Sequence, residues 1–219
     1  MLKTLIFDMD GTLFQTDKIL ELSLDDTFND LRSRGLWDTE TPIEKYREIM
    51  GVPLPTVWKT LLPQHSEKIR EQANTYFLKR LVESIREGKG ALYPHVKEVF
   101  RYLKENDYSI YIASNGLTEY LQAIVNHYQL DRWVTETFSI EQIQSLNKAD
   151  LVKSILERYP INCGAVVGDR LSDIQAAKDN GLISIGCHFD FAREEELSEA
   201  DFIINDLKGL ITVLPKINN

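Results

Sequence analysis

The sequence has little cysteine, no clustered histidine and no excess of basic charge. Only two of its 219 residues are cysteine, Cys163 and Cys187, so neither a disulfide framework nor a cysteine-rich zinc site is predicted. The four histidines are scattered without metal-ligand spacing. Lys and Arg number 25 against 34 Asp and Glu, giving a net charge of −9. Because no basic surplus is available to neutralise phosphates, nucleic acids and anionic membranes are not expected partners.

Long apolar runs are also missing. No stretch approaches the roughly 20 apolar residues of a membrane-spanning helix. The apolar start is interrupted early by Asp8, so no signal peptide is predicted and we expect a cytoplasmic location. With 43% hydrophobic and 27% charged residues, the composition is that of an ordinary folded protein.

From about residue 91 onward, short apolar segments alternate with amphipathic ones. Helices are predicted at 94–106 and 148–158, and strands at 108–113, 163–168, 182–186 and 201–204. Strands that alternate with helices of this length are typical of crossover connections in a parallel sheet. We therefore predict an α/β fold with a Rossmann-like parallel sheet and helices on both faces.

Residues 15–89 have a different pattern, with helical spacing of apolar side chains and no convincing strand. Within this segment, Thr41 followed by Pro42 predicts a helix start with Thr41 as its N-cap. We predict two domains: an α/β catalytic core formed by 1–14 and 90–219, and an inserted all-helical cap at 15–89. An insertion directly after the first strand is well placed to act as a lid.

The most informative motif is Asp8-Met-Asp10-Gly-Thr12, which directly follows the apolar run 5–7. Open parallel sheets bind ligands beyond the carboxyl ends of their strands, and a turn at Gly11 lets both carboxylates converge there. Two carboxylates suit a hard cation, and one can also act as a nucleophile toward phosphorus. An acidic turn would explain the same residues, so the motif alone does not decide between these interpretations.

Three further features follow later predicted strands. Ser114 and Asn115 open a helix, where a hydroxyl and backbone N–H groups favour an oxyanion such as phosphate, although a plain helix cap is the alternative. Lys148 is predicted at a helix N-terminus, where the helix dipole disfavours a positive charge. It is therefore interpreted either as a functional cation or as a solvated surface residue. Asp169 and Asp173 flank the start of another helix and can approach one centre.

Taken in order, these motifs resemble those of the haloacid dehalogenase superfamily of hydrolases. The similar branch contains phosphoglycolate phosphatase and β-phosphoglucomutase, and its helical cap follows the first motif. The resemblance covers essentially the whole chain. The matching residues are Asp8 to Thr12 for the first motif, Ser114 for the second, Lys148 for the third, and Asp169 with Asp173 for the fourth. Two positions depart from it: Ala149 stands where many relatives have Pro, and His95 where many have Gly.

The resemblance implies a Mg²⁺-dependent phosphatase whose partner is a small phosphorylated metabolite, similar to phosphoglycolate, a sugar phosphate or a nucleotide. It implies hydrolysis through an aspartyl-phosphate, with Asp8 as nucleophile and Asp10 as general acid and base. The Mg²⁺ ligands it implies are the Asp8 carboxylate, the Asp10 backbone carbonyl and Asp169, with Asp173 acting behind them or through a water. The phosphoryl oxygens are expected to be held by Ser114, Asn115 and Lys148.

A hexose phosphomutase of the same fold is the first alternative. Such mutases carry a cap histidine where this chain has Leu20, and the sequence Gly11-Thr12 is usual in the phosphatases, so hydrolysis is favoured. A phosphate-binding regulator without turnover is the second alternative. The sequence does not decide between a monomer and a homodimer.

Substrate choice is expected to come from the cap. Candidate residues flank a Gly- and Pro-rich turn and are Arg47, Gly51, Trp58 and Lys59. A small acidic substrate could use Arg47 or Lys59, whereas a nucleotide or sugar phosphate could stack on Trp58. Surface or core roles are the alternative for each of them.

Overall fold

A computed structural model describes residues 1–49, 54–190 and 192–218. The chain divides into two compact units, an α/β unit of 1–15 with 91–219 and a helical unit of 16–90. The bounds predicted for the helical insert, 15 and 89, lie one residue from those of the helical unit. That this unit serves as a lid for a catalytic site remains a proposal.

A parallel sheet of six strands forms the centre of the α/β unit. The strands are β1 (Thr4–Phe7), β2 (Ser109–Ser114), β3 (Glu136–Ser139), β4 (Gly164–Gly168), β5 (Ile183–Cys187) and β6 (Phe202–Ile204). Their order is β3-β2-β1-β4-β5-β6, so β1 lies in the middle with β2 on one side and β4 on the other. This order and the parallel pairing confirm the predicted Rossmann-like sheet.

Helices cover both faces of that sheet. Those of the α/β unit are α5 (Val96–Glu105), α6 (Thr118–Tyr128), α7 (Lys148–Arg158), α8 (Leu171–Asp179), α9 (Glu194–Leu197) and α10 (Gly209–Ile217). Successive side chains of a strand point to opposite faces. Ile6 of β1 belongs to the buried cluster that contains Leu151 of α7 and Ala176 of α8. Its neighbour Phe7 packs against Phe100 of α5, with ring centroids 5.1 Å apart.

The sequence pattern predicts β2, β4, β5 and β6 but not β3. Glu136 and Thr137 begin β3 and are only partly buried, so this short strand has no continuous apolar run. It is at the edge of the sheet and forms through backbone pairing with β2.

The helical unit contains α1 (Asp17–Ser33), α2 (Ile43–Glu48), α3 (Leu54–Leu61) and α4 (Glu67–Arg86). Buried apolar side chains recur at helical spacing, for example Leu24, Phe28 and Leu31 on α1. Within the described residues, no helix combines the length and the apolar character needed to span a membrane.

The predicted N-cap at Thr41 is wrong. Pro42 is the residue that precedes α2, and no side chain caps this helix. The Thr41 hydroxyl instead donates to the Asp25 carboxylate of α1 at 2.5 Å. Its oxygen also accepts a hydrogen bond from the Arg32 guanidinium of α1 at 3.2 Å, so side chains of α1 engage the hydroxyl both as donor and as acceptor.

Candidate active site

Asp8 directly follows the central strand β1. Its backbone N–H donates to the Val167 carbonyl at 2.9 Å, so the pairing with β4 extends one residue beyond β1. The residue is only 5% exposed. Because the chain order of the strands reverses between β1 and β4, Asp8 lies at the place where open α/β sheets bind their ligands.

The residues that follow β1 fold into a tight loop. The N–H groups of Leu13 and Phe14 both donate to the Met9 carbonyl at 2.9 Å, and the Gly11 N–H donates to the Phe14 carbonyl at 3.0 Å. Gly11 has a φ of 79°, which only glycine adopts freely. A Cβ atom at this position would also lie 2.7 Å from Cγ of Asp169. The loop therefore needs glycine for its conformation and to leave room for a carboxylate.

Three buried carboxylates meet beside this loop. Oxygen atoms of Asp8, Asp169 and Asp173 lie within 4.8 Å of one another. Asp169 follows β4, and Asp173 is in the first turn of α8, where its Oδ2 accepts the Arg170 N–H at 3.0 Å. Any side chain at Gly168 would overlap the Asp173 carboxylate. Because hard divalent cations prefer carboxylate oxygens, this cluster could hold such an ion.

Lys148 pairs with two of these carboxylates. It is the first residue of α7, where Asn147 caps the helix by accepting the Ala149 N–H at 2.7 Å. The Nζ atom donates to Oδ1 of Asp8 and forms an ion pair with Oδ1 of Asp173. The buried position of Lys148 excludes the solvated-surface interpretation. It also explains a lysine placed against the helix dipole, since the two carboxylates outweigh that effect.

Burial dominates the electrostatics of the cluster. It raises the pKa of Asp8 well above the usual range, and the charge of Lys148 opposes this only in part. Burial, followed by the charge of Asp173, raises the pKa of Asp169 to about 7. Burial alone would lower the pKa of Lys148, but Asp173 and Asp8 raise it overall. The carboxylates thus need more positive charge than Lys148 supplies, which a divalent cation would provide.

Asp169 has two further partners. The buried Thr12 hydroxyl donates to Oδ1 at 3.2 Å, and Nε of Arg170 lies 3.3 Å from Oδ2. Thr12 is part of the first sequence motif, so its place near the cluster had a sequence signal. Arg170 had none, because an arginine next to an aspartate is ordinary on a protein surface.

Asp10 is held by a residue that the sequence did not single out. The Tyr120 hydroxyl donates to Oδ1 of Asp10 at 2.5 Å. Tyr120 is in the first turn of α6 and is 7% exposed. A tyrosine on the apolar face of a helix is normally a core residue, so its spacing gave no indication of a polar contact with the first motif.

Ser114 and Asn115 lie at the carboxyl end of β2, the strand next to β1. Ser114 is buried and its Oγ accepts the Gly116 N–H at 3.0 Å, whereas Asn115 is exposed. The Thr118 N–H at the start of α6 donates to the Glu141 carboxylate at 2.7 Å. Two of the backbone donors near this helix start are therefore already engaged. An oxyanion here would rely on the remaining groups.

The cap candidates occupy different environments within the helical unit. Arg47 pairs with Glu21 at 2.5 Å and with Glu44 at 2.6 Å, and these partners raise its pKa, chiefly through the hydrogen bond to Glu21. Lys59 is exposed. Gly51 lies outside the described residues.

The expectation that Trp58 could stack on a substrate is wrong. Trp58 is 1% exposed and packs against Phe77, with ring centroids 5.5 Å apart. Its Nε1 donates to the Asn74 side chain at 2.8 Å. Because the side chain is buried, its ring is not available to a ligand.

Comparison with known protein families identifies the family to which this chain belongs. The sequence model of the family described as haloacid dehalogenase-like hydrolase matches residues 2–181, which is most of the chain. The chain belongs to the haloacid dehalogenase-like hydrolase family. This match confirms the resemblance drawn from the four motifs and makes the protein a hydrolase of that family.

Relatives and solved structures agree with the family assignment. Pyrophosphatase PpaX from Listeria welshimeri is 25% identical to this haloacid dehalogenase-like hydrolase, over 96% of this chain and 95% of its own. Phosphoglycolate phosphatase from Vibrio vulnificus is 22% identical, over 97% and 96%. The crystal structure of CbbY from Rhodobacter sphaeroides in complex with phosphate covers 96% of each chain with a TM-score of 0.81 and 20% identity. The last comparison shows a shared fold.

Proposed function

We propose that this haloacid dehalogenase-like hydrolase is a Mg²⁺-dependent phosphatase that acts on a small phosphorylated metabolite through an aspartyl-phosphate. The observation that carries the proposal is the buried cluster of Asp8, Asp169 and Asp173, with Lys148 paired to two of its members. Relatives named phosphoglycolate phosphatase and pyrophosphatase support a compact, strongly anionic substrate.

The donor set suits Mg²⁺, since it offers hard oxygen ligands and no nitrogen or sulfur. The carboxylates of Asp8 and Asp169 and the backbone carbonyl of Asp10 would hold the ion, with Asp173 keeping Lys148 in place behind them. When bound, the ion supplies positive charge that offsets the repulsion between phosphate and the carboxylates.

In the first half-reaction, a carboxylate oxygen of Asp8 attacks phosphorus while the bond from phosphorus to the ester oxygen breaks. Asp10 gives its proton to the leaving oxygen, so the product leaves as a neutral hydroxyl group. Lys148 helps to keep Asp8 ionised, because its charge opposes the effect of burial on the pKa of Asp8. Lys148, Ser114 and Asn115 hold the phosphoryl oxygens.

In the second half-reaction, Asp10 takes a proton from water as the water oxygen attacks phosphorus. The bond between phosphorus and Asp8 then breaks, which releases phosphate and restores the free carboxylate. Asp10 therefore acts first as an acid and then as a base, and both steps need it in the same place.

A hexose phosphomutase is not favoured. The relatives reported above carry the names of hydrolytic enzymes, and Leu20 occupies the position where a mutase of this fold is expected to have a histidine.

A screen of phosphorylated metabolites tests the proposal. The panel contains 2-phosphoglycolate, pyrophosphate, sugar phosphates and nucleoside monophosphates, and free phosphate is measured with Mg²⁺ and after chelation. We expect Mg²⁺-dependent release that is absent in Asp8→Asn. If the metal-loaded protein releases no phosphate from any compound, the proposal fails. Transfer of phosphate to another carbon without release would instead identify a mutase.

A further inference from the structure

The contact between Tyr120 and Asp10 links the start of α6 to the first sequence motif across 110 positions of the chain. We propose that Tyr120 is a positioning residue that fixes the Asp10 carboxyl group for proton transfer. The inference rests on the acid and base role proposed for Asp10 and assigns the residue that makes this role effective.

Packing holds the Tyr120 ring in place. Phe14 meets it edge-on, with ring centroids 6.4 Å apart and an interplanar angle of 78°. On Gly116, a Cβ atom would lie 3.1 Å from Cδ1 of Tyr120, so the backbone approaches the ring closely there. Because the residue is almost fully buried, its two side-chain torsions are fixed by contact. The hydroxyl group is therefore a rigid hydrogen-bond donor.

The hydrogen bonds of the loop hold the backbone of Asp10, and the Tyr120 hydroxyl acts on its carboxyl group. Asp10 forms a β-bridge with Phe14, and the Gly11 N–H closes the loop on the Phe14 carbonyl at 3.0 Å. A carboxyl group still rotates about two side-chain bonds, and each extra orientation dilutes the one that can transfer a proton. The bond from Tyr120 selects an orientation in which Oδ1 accepts the hydroxyl hydrogen.

The basicity of the leaving group distinguishes a positioning role of Tyr120 from a purely structural one. Loss of positioning affects the proton given to the leaving group, so it matters most when the leaving oxygen is strongly basic. Phenyl phosphate and p-nitrophenyl phosphate differ in this respect and share almost the same shape. If loss of the hydrogen bond only loosened the site, aspartyl-phosphate formation would slow equally with both compounds.

The test compares Tyr120→Phe with Tyr159→Phe in single-turnover experiments on the Mg²⁺-loaded enzyme. Tyr159 donates to Glu136 at 2.5 Å, so the control removes a similar bond to a carboxylate at the amino end of β3. For Tyr120→Phe with phenyl phosphate, we expect aspartyl-phosphate formation to slow by about fivefold to tenfold, in line with loss of one hydrogen bond to the neutral carboxyl group. With p-nitrophenyl phosphate, formation should slow by less than about twofold, because little acid assistance is needed. Breakdown, which uses water for both compounds, should slow equally for the two.

An equal loss of formation rate with both compounds, or no loss with either, would overturn the inference. Melting curves of the two variants show whether each is folded. Asp10→Asn separates this inference from the proposed function: if that variant forms and breaks down the intermediate normally, the role of Asp10 itself is wrong. If Asp10→Asn is impaired and Tyr120→Phe is not, only the positioning role fails. Adding Tyr120→Phe to Asp10→Asn should cause no further loss.

Discussion

The α/β unit buries a cluster of charged side chains, whereas the charged cap candidate Arg47 of the helical unit is paired at the surface. In the α/β unit, Asp8, Asp169 and Lys148 are each at most 5% exposed and lie in direct ionic contact or close to it. In the helical unit, the Arg47–Glu21 pair has side chains that are 47% and 38% exposed. Burying an ion costs several kcal/mol even when it is paired, whereas an exposed pair contributes about 0–1 kcal/mol. A cluster kept at such a cost is best explained by the chemistry that we propose for it.

The largest effect is expected when the buried cluster loses the carboxylate that we propose as nucleophile. Asp8→Asn should reduce phosphate release by at least about 10³-fold, because an amide does not form the phosphorylated intermediate. The fold should persist, since the substitution keeps the shape and removes a buried negative charge. Phosphate release and circular dichroism test this, with exposed Asp131→Asn as the control that retains activity. Substantial turnover by Asp8→Asn would exclude the covalent route.

The next largest effect is expected when the cluster loses its lysine. Lys148→Met leaves Asp8 and Asp173 without a shared cation, which should lower the free energy of unfolding by about 3–5 kcal/mol in the metal-free protein. Lys153→Met on the same helix is the matched control, because that side chain is 64% exposed and its partner Glu157 is 68% exposed. It should change stability by about 0.5 kcal/mol or less. Urea unfolding of both variants measures the difference, and equal losses would contradict the contrast between buried and exposed charge.

A pH-dependent effect follows from the carboxyl group of Asp169. Its pKa is raised by burial to about 7 in the folded protein, against an ordinary value of 3.8. The folded state therefore binds this proton more tightly than the unfolded state, and stability declines as pH rises from about 4 to about 7. Asp169→Asn removes this pH-dependent loss of stability. In the presence of a chelator, the free energy of unfolding of the variant should therefore exceed that of the parent protein by roughly 2–4 kcal/mol at pH 8 and by less at pH 5. Urea unfolding at both pH values tests this, and a pH-independent difference would refute the assignment.

The smallest effect is expected in the helical unit. Arg47→Met removes the exposed pairs with Glu21 and Glu44 and should lower stability by about 1 kcal/mol or less, with a smaller loss at high salt. Thermal unfolding at low and high ionic strength measures this effect. Glu44→Gln, which removes only one of the two pairs, should cost less still. A loss comparable to that of Lys148→Met would mean that exposure does not separate the two regions.

The sequence predicts the sheet well because its strands are mostly buried on both faces and therefore apolar. It does not predict β3, whose residues are mixed in polarity and which pairs only along one edge. The carboxylates of the cluster and Lys148 were predicted, since each follows a strand or opens a helix at the same edge of the sheet. Their mutual contact depends on tertiary packing, as does the loss of the Thr41 cap to Asp25.

Tyr120 and Trp58 show that local sequence patterns do not predict the contacts of an aromatic side chain. Both are large aromatic residues on helices, yet the hydroxyl of Tyr120 donates to the Asp10 carboxyl group and Trp58 is enclosed by core side chains. Helical spacing places each on an apolar face but does not identify the group that faces its polar atom. That information resides in contacts between distant segments.

The central position of β1 has a consequence for synthesis of the protein on the ribosome. Thr4 of β1 pairs with Ser109 of β2 and with Gly164 of β4. The strand that precedes Asp8 therefore leaves the ribosome long before either of its neighbours exists. Contacts between such distant segments form slowly because a long chain must first be closed. The nascent chain carries an apolar strand that awaits its partners, and the active site is assembled only after most of the protein has been translated.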